Sequence, residues 1–103
     1  MTDLSDLIAD HSDKLKSILA RRGSDWGFFG MITEAQIRAF AGMIVNLAAN
    51  APEVWQASYR GSDRLFYMMD DWVVVAQLDD TFESAWWATV AQIAHYRTGV
   101  KIK

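Results

Sequence analysis

The sequence predicts an α+β fold: a small antiparallel sheet, built from a hairpin at 64–78 and a further strand at 26–32, packed by about four helices. Three observations carry this expectation. Apolar residues recur at helical spacing through most of the first fifty positions. Two β-branched and aromatic runs, "RLFYMM" and "WVVVAQL", meet at Asp70-Asp71. And one ten-letter phrase occurs twice in similar form, as "RGSDWGFFGM" from Arg22 and "RGSDRLFYMM" from Arg60.

The first helix is expected over 3–22, where Leu4, Leu7, Ile8, His11, Leu15, Ile18 and Leu19 form one stripe. Asp3 and Asp6 suit its positive end, Arg21 and Arg22 its negative end. Gly23 then offers the left-handed residue that stops it. The second helix begins at Thr33, whose hydroxyl and the Gln36 amide have capping-box spacing, and runs to about Ala49. Asn50-Ala51-Pro52 breaks it, and a short third helix carrying Val54, Trp55 and Tyr59 is expected up to Gly61.

The strands follow. Along them Leu65, Tyr67, Met69, Trp72, Val74 and Ala76 should face one way, and Phe66, Met68, Val73 and Val75 the other. Two aspartates without glycine suit a two-residue turn poorly, so a longer loop is expected. Asp80 and Glu83 have capping-box spacing again. They open a last helix reaching Tyr96, with Phe82, Trp86, Val90 and Ile93 as its stripe. The tail "TGVKIK" is read as an edge strand or a frayed end. In both copies of the repeat, Arg-Gly is expected to close a helix before the chain enters a strand.

All 103 residues are expected in a single globular domain. Half the residues are apolar, with five Trp, five Phe and three Tyr, which excludes a disordered chain. A formal net charge of −3 argues against a phosphate-backbone binder, so no direct nucleic-acid binding is expected. With no cysteine there is no disulfide frame or thiolate metal site. The acidic, amphipathic start is unlike a signal peptide, and no uncharged run is long enough to span a bilayer. A cytoplasmic protein without membrane contact is the expectation.

The sequence carries no recognisable catalytic pattern. No Ser stands in G-x-S-x-G, and Gly23, Gly27 and Gly30 match no phosphate-binding loop. His11 and His95 lack a second ligand at helical spacing, so each reads as structural, and no metal or cofactor is expected. Asp70-Asp71 and Asp79-Asp80 bracket a strand, roughly 20–25 Å apart, too far to share a substrate.

One charge asymmetry remains. Residues 63–83 hold six acids and one base, while the last twenty residues carry three bases and no acid. The leading functional expectation is a non-enzymatic interaction protein, an acidic inhibitor or immunity-type protein that covers a basic surface of an enzyme or nuclease. Asp70, Asp71, Trp72, Tyr67, Asp79 and Asp80 would meet that partner. The expected last helix also has a neutral back, and Trp87, Ala88, Ala91 and His95 on it would form a homodimer interface. Two rivals are a homo-oligomeric assembly subunit and a small-molecule binder or enzyme with a pocket beside Trp26, Trp55 or Trp86.

Overall fold

A computed structural model describes residues 4–103, with side chains from Asp6 onward. The chain runs through α1 (Leu4–Arg22), a 3-10 turn (Gly23–Trp26) and α2 (Glu34–Asn50). Four consecutive strands follow: β1 (Glu53–Tyr59), β2 (Ser62–Met69), β3 (Trp72–Ala76) and β4 (Phe82–Trp87). The chain then forms α3 (Val90–Tyr96) and β5 (Val100–Lys101). All neighbouring strands pair antiparallel, in the order β4-β3-β2-β1-β5. The α+β class therefore holds, with five strands among the described residues where three were expected and three α-helices where about four were expected.

The helical half follows its pattern except at the end of α1, where Gly23 opens the 3-10 turn and the left-handed conformation expected of it falls to Gly27 (φ 87°). Leu7, Leu15, Ile18 and Leu19 are buried along α1, and Arg21 and Arg22 stand in its last turn. Asp3 and the side chain of Leu4 lie outside the described residues. The helix is interrupted at His11, whose backbone leaves helical angles (φ −130°, ψ 18°). Beside it, the Ser12 hydroxyl donates back to the Ile8 carbonyl at 2.7 Å, a local bond that competes with the helical ladder. Thr33 and Gln36 make both halves of the expected capping box at the start of α2.

Three of the expected elements are overturned. Residues 53–59 form strand β1 rather than a helix, because Arg60 and Gly61 adopt left-handed φ of 52° and 86° and fold the chain straight back onto β2. A two-residue turn with both φ positive matches the twist of a hairpin, which a helix ending at Gly61 could not do. The expected helix over 80–96 divides into β4 and the seven-residue α3. Pairing with β3 places Phe82 and Ala85 in the core on one face of the sheet and Trp86 in the core on the other. The cap of α3 is Thr89 with Gln92, again a complete capping box. Finally, 26–32 is not a strand. Gly27 and Gly30 take φ of 87° and 79° and hold that stretch as an irregular loop. The Asp70-Asp71 turn is also shorter than expected: Met69 pairs with Trp72, leaving a two-residue loop with Asp70 at φ 55°.

The sheet is apolar on both faces, as the two strand patterns predict. On one face Val54, Val74, Phe82 and Ala85 pack with Tyr67, Met69 and Trp72 against α1 and α2. On the other, Phe66, Met68, Val73, Val75 and Trp86 pack with Ile93 and Tyr96 of α3. The covers are unequal: the first face meets two long helices, the second a helix of seven residues. The end of the second face carrying Tyr59 and Trp86 therefore opens to solvent as a groove.

Candidate functional site

The expected acidic docking surface is not gathered on one face. Asp70-Asp71 closes the β2–β3 turn, whereas Asp79 and Asp80 lie in the β3–β4 connection at the other end of β3. Their carboxylates serve local geometry. Asp79 accepts from the Thr81 backbone N–H at 3.0 Å, and its bonds to Thr81 hold its carboxyl below the usual range. The Tyr67 hydroxyl donates to the Asp80 carboxylate, and burial pushes the Tyr67 phenol up. Trp72 is half-buried, with its ring 4.4 Å from that of Trp26 and 5.0 Å from that of Trp87.

The expected interface set is also divided. Trp87 pairs across the sheet with Trp72 and lies half-exposed beside it. Ala88 is buried among the residues packed under α3. Only Ala91 and His95 remain exposed on α3, where His95 Nε2 lies 3.1 Å from the Ser58 carbonyl and 3.3 Å from its hydroxyl. His11 packs edge-on against Phe82 at 5.8 Å. Among the described residues no three His, Asp or Glu side chains gather as a metal ion would need. Of the three tryptophans expected beside a pocket, Trp86 lines two cavities, while Trp26 is buried against Phe40 and Trp72. Trp55 donates through its indole to Glu53 at 3.1 Å.

What the structure does assemble is basic. An open groove of about 620 Å³ is lined by Arg21 and Arg22 from the end of α1, Arg60 from the β1–β2 turn and Arg64 from β2. Its remaining lining includes Tyr59, Trp86 and one carboxylate, Glu83. Arg64 is held by that carboxylate, Nε to Oε1 at 2.9 Å. Arg21 donates to the Ser17 hydroxyl at 2.9 Å, and the Arg60 guanidinium stands 5.2 Å from the centre of the Tyr59 ring. Four arginines and one carboxylate in the lining, in a chain of net charge −3, leave a local positive excess against the overall balance.

Sequence reasoning passed over this site because its cations come from three separated segments. A signal was nevertheless present. Arg22 and Arg60 are the first letters of the two copies of R-G-S-D. The copies differ in structure: the first ends α1 and opens a 3-10 turn, the second forms a hairpin turn and starts β2. Their arginines nonetheless line the same groove.

No family model matches the chain, and no curated protein or solved structure matches it either. Among the described residues no helix is long and apolar enough to cross a membrane.

Proposed function

We propose that this protein is a non-enzymatic protein–protein interaction module that captures an acidic segment of a partner in the arginine-lined groove. The observation that carries this reading is the convergence of Arg21, Arg22, Arg60 and Arg64 against the single carboxylate of Glu83. Arginine is suited to the task, since its planar fork binds carboxylates and phosphates in pairs of hydrogen bonds. Binding would be non-covalent, with electrostatic attraction speeding the encounter and the aromatic floor limiting water around the contact. The inhibitor or immunity-type role that covers a basic enzyme surface has less support, because the aspartates it needs stand at opposite ends of β3.

The test is polyglutamate binding by the intact chain. An acidic protein repels polyglutamate except through a local basic site, so wild type should bind with an affinity that falls as salt rises. Arg21→Glu with Arg22→Glu should abolish that binding without loss of secondary structure. Equal binding by wild type and the double variant would sink the proposal.

A second reading, self-association, is favoured by one specific observation. Trp87 and Val90 are 49% and 84% exposed within a few residues of each other. Such apolar exposure suits an interface between copies.

A further inference from the structure

We infer that the groove is one half of a bipartite site, and that its occupant is an acidic peptide segment bearing a large apolar side chain beside its carboxylates. The inference rests on the reading of the arginine groove as an acidic-partner site and adds what the partner must carry.

A second cavity, about 460 Å³, opens beside the first between β1 and α3. Its lining is of another kind: Ser58, Ala91, His95 and Tyr96 join Tyr59 and Trp86, with no carboxylate. The two cavities share four residues, Tyr59, Arg60, Trp86 and Gln92, and so adjoin one another. The rings of Tyr59 and Trp86 lie 5.7 Å apart at 35°, making an aromatic floor that passes from the charged half to the apolar half. A free anion would use the first half alone. Aromatic surface beside clustered arginine suits a chain that presents an apolar anchor and acidic neighbours together.

Arg60 supplies the independent observation. Among the described residues, three other than glycine have positive φ: Arg60, Asp70 and Asp80. Aspartate tolerates that conformation through local hydrogen bonds, but arginine has no such compensation and asparagine or glycine is the ordinary choice at this turn position. The left-handed φ of this residue serves the β1–β2 turn, and the choice of arginine for it, at the junction of two cavities with its guanidinium beside the floor ring, points to a binding role beside the folding one.

The experiment compares three labelled peptides by fluorescence anisotropy with the full chain: a glutamate-rich peptide with one central phenylalanine, the same peptide with alanine there, and a lysine-rich peptide keeping the phenylalanine. The phenylalanine-bearing acidic peptide should bind at least about tenfold more tightly than its alanine counterpart, and the lysine-rich one should not bind. Arg60→Asn should weaken that peptide about tenfold while the melting temperature stays level or rises. Ala91→Gln, on the exposed side of α3, should remove the advantage of phenylalanine and spare binding of the alanine peptide. Equal affinity for the two acidic peptides would overturn the bipartite site and leave the acidic-partner reading standing. Failure of both acidic peptides to bind would overturn both.

Discussion

Gly99 has a steric requirement that its neighbours in the chain do not reveal. A Cβ there would overlap the Gln56 carbonyl oxygen and come within 3.0 Å of the Ala57 Cβ. Gly99→Ala should therefore push β5 away from β1 and destabilise the fold by about 1–3 kcal/mol, read from urea unfolding. Trp26 gives the opposite kind of test. It is buried between Phe40 and Trp72, and its indole N–H has no hydrogen-bond partner among the described residues. Trp26→Phe should thus lose packing alone and remain folded, whereas Trp26→Ala should cost about 3–5 kcal/mol. Both predictions depend on neighbours distant in sequence, which is why neither residue's role is legible from the chain.

The joins between elements are open to separate tests. Glu53 at the start of β1 pairs with Arg97 after α3, Oε2 to Nη2 at 2.7 Å. The Arg97 hydrogen bond, then the one from Trp55, holds the Glu53 carboxyl below its ordinary value. A lowered folded value means the pair stabilises the fold above the ordinary glutamate range, and that this stability is lost as pH falls through the lowered value. Thermal unfolding of Glu53→Gln should accordingly match wild type at acid pH and fall slightly below it at neutral pH. A gap that is constant across pH would contradict this. The β1–β2 turn is more rigid in its demand. Gly61→Ala places a side chain at φ 86° and should cost about 1–2 kcal/mol. At this scale the sequence was legible where one signal stood alone. Thr33 and Gln36 cap α2 as expected. Further on, the expected cap at Asp80–Glu83 opens no helix, and Thr89 with Gln92 caps α3 instead, because pairing with β3 took Phe82 to Trp87 into the sheet.

For the whole molecule, the open question of self-association has a direct measurement. If Trp87 and Val90 form an interface, light scattering should give a dimeric mass that Trp87→Ser converts to a monomer. A monomer across the full concentration range would remove that reading and leave the groove as the surface to pursue. By itself the sequence determined the first two helices, the β2–β3 hairpin and the two apolar faces of its strands, because each depends on a periodicity or cap contained within a few residues. It also bounded the chemistry, with no cysteine and an acidic balance. Tertiary structure decided the rest. Apolar runs such as 53–59 and 82–87 satisfy helix and strand patterns alike, and the choice fell to the hydrogen-bonding edges that β2 and β3 offered them. The arginine groove was decided in the same way: Arg22 and Arg60 are remote in the chain, and only the packing of α1 beside the sheet places both around one opening.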